Sequence, residues 1–142
     1  MSRLLGIDYG TKRIGMALTD ELRIISSPHE VHLNNLEFWD YLSKSIQTYN
    51  IGGFVVGIPL HDEESTIAPH ILGFIRKLER LFQLPIYLQD ESLSSKESRN
   101  FLINTGKRGK KLKQNLDRYA AQLILSNFLQ ASARGQIQQF QS

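Results

Sequence analysis

The hydrophobic pattern along the chain changes period several times. Residues 3–9 (RLLGIDY) and 12–19 (KRIGMALT) are short apolar runs, joined by a tight Tyr9-Gly10-Thr11 link, which predicts two strands in a hairpin. Ile24, Ile25, Val31 and Leu33 surround Pro28, which predicts a third strand at a sheet edge or broken at the proline. Asn34 with Glu37 three residues on reads as a capping box, and Phe38, Leu42, Ile46 and Tyr49 follow at helical spacing. Residues 53–60 (GFVVGIPL) are continuously apolar, as in a strand covered on both faces.

A second helix is expected from Ser65, with Ile67, Ile71, Phe74, Ile75, Leu78 and Phe82 as its stripe and Pro69 tolerated in the first turn. A short strand at 84–89 leads into Asp90-Glu91. Ser94 and Glu97 suggest another capped helix ending near Gly106. The basic segment 105–113 reads as a loop, a last helix runs from about Asn115 to Ala133, and the polar tail GQIQQFQS is expected to fray. Three strands with short links, followed by alternating helix and strand, predict an α/β domain: a mixed sheet with helices on both faces. One domain over 1–134 and a tail over 135–142 are expected.

Composition narrows the chemistry. The 142 residues are 41% hydrophobic and 22% charged, enough apolar content for a core and too little charge for wholesale disorder. With no cysteine, disulfides, thiolate metal sites and cysteine nucleophiles are excluded. No apolar run approaches a membrane span, and the apolar stretch before Asp8 is too short for a signal peptide, so a cytoplasmic protein with no membrane partner is expected.

Charge is distributed unevenly. Residues 96–118 carry eight cations and two acids, a local +6 within a chain of +3, so the remainder is −3. Lys107, Arg108, Lys110, Lys111 and Lys113 form the centre of this block, and Lys12 and Arg13 add cations near the amino terminus. A local basic block in a mildly acidic body suits a polyanion such as nucleic acid, and it also suits a solvated lysine-rich loop.

Against this background three acidic positions stand out. Asp8 follows Leu4, Leu5 and Ile7 in a strand that reads as central, where a carboxylate needs a cation or hydrogen-bond donors. Asp90 and Glu91 close an apolar strand at the end where α/β sheets collect their sites. Asp117 lies early in the last helix, beside a stripe of Leu116, Ala120, Leu123, Ile124 and Asn127. Each acid alone also has an ordinary explanation in ion pairing or a helix dipole. Converging, they would make an oxygen-only site suited to Mg²⁺ or Mn²⁺. Two such ions can hydrolyse a phosphodiester.

Competing motifs fail. The glycine spacing of Gly10 to Gly15 imitates a P-loop, but Met16 stands where lysine is required. The four histidines show no HExxH pair, and no serine lies in a GxSxG elbow.

These residues together resemble the YqgF (RuvX-type) family of the RNase H-like superfamily, which contains Holliday-junction resolvases and pre-16S ribosomal RNA nucleases. The resemblance runs from Leu5 to about Leu129 and rests on LGIDYGTKRIGMALTD, VVGIPL, DESLSS and LDRYAAQLIL. It implies a five-stranded mixed sheet whose first three strands are antiparallel. It also implies catalytic, metal-binding acids at Asp8, at Glu91 as first choice with Asp90 second, and at Asp117. The substrate would be a DNA junction or an RNA precursor, and monomer and weak homodimer both stay open. Two departures are notable. Ser92 replaces an arginine usual in the third motif, which removes a bidentate phosphate contact. His61-Asp62-Glu63-Glu64 makes the loop after Pro59 acidic. A non-catalytic nucleic-acid-binding or ribosome-assembly factor is therefore the alternative. A kinase-like phosphotransferase, suggested by the Asp8-Tyr9-Gly10-Thr11 turn, would need two such domains.

Overall fold

The computed structural model describes residues 1–59, 67–91 and 110–141, and only the backbone of 110–117. The described elements are β1 (Arg3–Tyr9), β2 (Arg13–Thr19), β3 (Ser26–Leu33), α1 (Glu37–Thr48), β4 (Ile51–Ile58), α2 (Ala68–Phe82), β5 (Ile86–Asp90), α3 (Lys110–Ala133) and β6 (Gln138–Gln139). The sheet order is β3-β2-β1-β4-β5-β6. β1 to β3 pair antiparallel, while β4 runs parallel to both β1 and β5.

Strand alternation separates two cores. Leu5, Ile7, Ile14, Met16, Phe54, Val56 and Ile58 pack against Phe38 and Leu42 of α1 and Ile71, Phe74, Ile75 and Leu78 of α2. Leu4, Ala17 and Val55 face the other way, onto Ala121, Ile124, Leu125 and Phe128 of α3. This second face is built of small side chains, and the helix sits close. A Cβ on Gly6 would lie 3.0 Å from Leu125 Cβ and 3.1 Å from the Ala121 carbonyl oxygen.

Several expectations need correction. The tail does not fray completely: β6 adds a sixth, antiparallel strand to β5, and the Phe140 amide donates to Ile86 O at 2.7 Å. The phenylalanine anchors it, because its ring packs on the α1–α2 core. Ile24 and Ile25 precede β3 and lie exposed in a turn where Asp20 Oδ1 accepts both their amides at 2.7 and 2.9 Å. Helix α1 begins at Glu37 after Leu36, and it is Asn35 rather than Asn34 whose Oδ1 reaches its first turn, accepting the Phe38 amide at 3.2 Å. Asn34 instead secures the β1–β2 turn, donating from Nδ2 to Gly10 O and from its amide to Lys12 O, both at 2.8 Å. Helix α3 starts at Lys110, so the end of the expected basic loop is helical. The helix expected from Ser94 to Gly106 and the Ser65 cap lie outside the described residues. Pro28 sits on an edge strand beside a register shift, where its missing amide is tolerated.

Candidate functional site

Three strands end together at one edge of the sheet. Ile7 of β1 pairs with Val56 of β4, which places Asp8 beside Gly57. Gly57 pairs with Gln89 of β5, Ile58 pairs with Asp90, and the Glu91 amide donates to Ile58 O at 3.1 Å. Asp8 and Glu91 therefore flank β4, two strand spacings or about 10 Å apart across the sheet, with Glu91 about 6.6 Å further along the strand direction.

Alternation decides which acids share a face. Leu4 lies against α3, so Gly6 and Asp8 follow on that side. Tyr87 packs on Phe128 of α3, ring centroids 5.0 Å apart, so Gln89 and Glu91 share its side. Asp90 is in step with Ile86 and Leu88, which belong to the α1–α2 core, so it lies on the opposite face. Of the two acids left open by sequence, Glu91 is the one on the side of Asp8.

Gly57 forms the floor between them. A Cβ there would overlap Ile124 Cδ1 and stand 2.9 Å from Glu91 Oε2. The Glu91 carboxylate therefore lies folded over the glycine, against the helix. The motif containing Gly57 reads from sequence as a buried strand. Its role as a cradle becomes visible only when the helix is seated on it.

Asp117 enters from α3. The helix runs antiparallel to β1: Phe128 packs with Leu4, while Ala121 and Leu125 cover Gly6. Asp8 is two strand residues beyond Gly6, about 6.6 Å. Asp117 is four helix residues before Ala121, about 6 Å. The backbone thus places Asp117 at the level of Asp8. The buried stripe is Ala120, Ala121, Ile124, Leu125 and Phe128, while Leu123 and Asn127 are only partly buried. The stripe is rotated by part of a turn from the expected one, and the Asp117 backbone lies one helical turn before Ala121.

The cations divide between described and undescribed segments. Lys12 is exposed in the β1–β2 turn, and Arg13 opens β2. Gly10 makes that turn tight, since a Cβ on it would meet the Arg13 carbonyl oxygen at 2.5 Å. Lys110, Lys111 and Lys113 belong to the first turn of α3, whereas Lys107 and Arg108 lie outside the described residues. So do Ser92 and the acidic residues 61–64. Among the described residues no group of three acids or histidines forms a metal cluster, and the Asp117 side chain is not among them. Asp8 and Glu91 still fit a hard cation. Both offer only oxygen and lie on one face of the sheet, while the space directly over Gly57 is taken by Ile124 Cδ1 and Glu91 Oε2.

The family described as "RuvX: Holliday junction resolvase" matches residues 2–131. The chain belongs to the RuvX family. A relative from Maridesulfovibrio salexigens, named "Putative pre-16S rRNA nuclease", is 37% identical over 131 residues, covering 89% of this chain and 97% of its own. A relative of the same name from Rickettsia typhi is 37% identical over 136 residues, covering 92% and 86%. Among solved structures, Thermus thermophilus RuvC bound to a Holliday junction substrate superposes with a TM-score of 0.59 at 12% identity, over 99% of this chain and 100% of that one. The fowlpox virus resolvase in complex with Holliday junction DNA gives 0.53 at 12% identity, over 92% and 98%. At such identity the likeness establishes the fold, which is RNase H-like with one strand more than the five expected.

Proposed function

We propose that the chain is a divalent-metal-dependent endonuclease that hydrolyses phosphodiester bonds in structured nucleic acid, with Mg²⁺ or Mn²⁺ as cofactor. The observation that carries this reading is the placement of Asp8 and Glu91 on one sheet face on either side of Gly57, with the Asp117 backbone at the level of Asp8 on α3. RuvX membership and the resolvase fold support it.

In this reading Asp8, Glu91 and Asp117 hold the ions. Bound divalent ions would supply Lewis acidity, lowering the pKa of an attacking water and stabilising the leaving oxygen. The Glu91 backbone is held at the strand end by its amide's bond to Ile58 O, and its carboxylate lies over Gly57 near Ile124. Lys12, Arg13 and the lysines opening α3 neutralise the phosphates on either side. Asp90, on the opposite face, supports the sheet end without joining the donor set.

The relatives' names point to a ribosomal RNA precursor and the structural neighbours to a DNA junction. A parallel assay on a pre-16S RNA fragment and a four-way junction, with Mn²⁺, separates them. Cleavage of either supports the enzyme reading. Binding of both with no cleavage under any divalent ion refutes it and leaves a binding factor. Such a factor would lose affinity on Lys110→Glu/Lys111→Glu and show a strong salt dependence.

A further inference from the structure

Arg13 and Leu33 are cross-strand partners where β2 and β3 meet the site edge. The neighbouring pair, Ile14 and His32, faces α1: Ile14 lies in that core, and the His32 ring stands 5.7 Å from Phe38 and 4.8 Å from Tyr41. Alternation therefore places Arg13 and Leu33 on the opposite face. That is the face of Asp8 and of Gly15, its partner in β2.

Leu33 is 60% exposed, and Leu36, just after it, is 82% exposed. Their backbone is firmly held. Asn34 makes its two 2.8 Å bonds to the Gly10–Lys12 turn, and the Asn35 amide donates to Leu33 O at 3.0 Å. Leu33 is thus held in water opposite Arg13, which follows Lys12 in the turn after Asp8, and Leu36 is a second exposed leucine three residues on. A protein partner covering them would desolvate both cations. A nucleic-acid strand brings phosphates for the cations and apolar base faces for the leucines.

We propose that Leu33 and Leu36 form a wedge against the nucleobases of the bound strand, whose phosphates pass Arg13 on the way to Asp8. This rests on the nuclease reading and narrows its substrate to strands whose bases are unpaired or readily unstacked near the cut. β3 is two strand spacings from β1, about 10 Å. That corresponds to about three nucleotides of stacked rise. The wedge sets which phosphate reaches the acids by engaging bases at that remove.

The test uses 2-aminopurine placed singly at successive positions around the branch of a four-way junction, and in parallel around the processing site of an RNA precursor. EDTA prevents cleavage, and the protein is at saturation. Wild type is expected to raise the fluorescence at one or two adjacent positions in the nucleic acid it accepts. Leu33→Ser/Leu36→Ser is expected to bind without that rise. Lys12→Ala/Arg13→Ala is expected to weaken binding and reduce the salt slope by about two. Matching thermal melts confirm that these surface variants fold. An undiminished rise in the serine variant overturns the wedge, and so does wild-type binding with no rise at any position. Unstacking without cleavage in Mn²⁺ overturns the nuclease reading alone. Failure of the wild type to bind either nucleic acid overturns both.

Discussion

Replacing Gly57 by alanine adds one methyl group where the sheet, α3 and Glu91 meet. The new Cβ would overlap Ile124 Cδ1 and stand 2.9 Å from both Ile124 Cγ1 and Glu91 Oε2. Ile124 is fully buried and cannot swing into solvent. The helix must lift or the side chain must leave its rotamer, and overpacking of this kind costs about 1–3 kcal/mol. At about 2–4 °C per kcal/mol, the melting temperature should fall by several degrees. The carboxylate must also move, and a displacement approaching 1 Å in a positioned group can cost about 100-fold in rate. Gly73→Ala is the internal control. Gly73 is exposed in α2, and a Cβ there meets nothing within 4 Å. That variant should gain about 0.5–1 kcal/mol through helix propensity. Urea melts of both variants, with cleavage assayed well below melting, read the two effects separately. A Gly57→Ala protein as stable and active as wild type would refute the close seating of α3 on this glycine.

Three further outcomes follow from the packing and the electrostatics. Phe38 is fully buried among Trp39, Tyr41 and Phe74, so Phe38→Ala should cost about 3–5 kcal/mol in a denaturant melt. Burial pushes the His29 pKa down, partly offset by the Glu30 charge, and its Nε2 is buried with no hydrogen-bond partner among the described residues. The unfolded chain therefore takes up this proton first. Stability should fall as pH drops below about 6.5 and level off once the folded histidine also titrates. A His29→Phe variant should lose that component, read as a smaller difference between urea midpoints at about pH 7.5 and about pH 5. Truncation after Gly135 removes β6 and Phe140, exposing the β5 edge. It should cost about 1–2 kcal/mol and promote concentration-dependent association, seen by light scattering.

How much was legible from sequence depended on whether a feature was local. The β1–β2 hairpin, the edge character of β3 and the apolar stripe of α2 follow from period and punctuation, and the structure has all three. The cap of α1 did not follow, because Asn34 and Asn35 are equally good cap residues by type. Only the nearby Gly10–Lys12 turn, which takes both donors of Asn34, decides between them. β6 was missed because a glutamine-rich tail carries little strand signal, and its pairing depends on Phe140 finding the core.

The candidate site divides in the same way. Asp8 was conspicuous as an acid in an apolar strand. Asp90 and Glu91 could not be separated by type or spacing, yet one step along a strand reverses the face, and the packing of Tyr87 on Phe128 fixes which is which. The face of α3 was misread by part of a turn because Leu123 is as apolar as Leu125. The small residues Gly6 and Gly57 select the helix face that fits closest to the sheet, and that is a tertiary property. Leu33 and Leu36 carried no site signal, since exposure cannot be read from an isolated leucine.

The convergence of Asp8, Glu91 and Asp117 is tested most directly by anomalous scattering from manganese, in crystals grown with Mn²⁺ and an uncleavable branched strand. Mn²⁺ is expected beyond the ends of β1 and β5, bound by oxygens of Asp8, Glu91 and Asp117, and lost in Asp8→Asn crystals. Manganese seated on Asp90 across the sheet, or none at this edge with the strand in place, would contradict it.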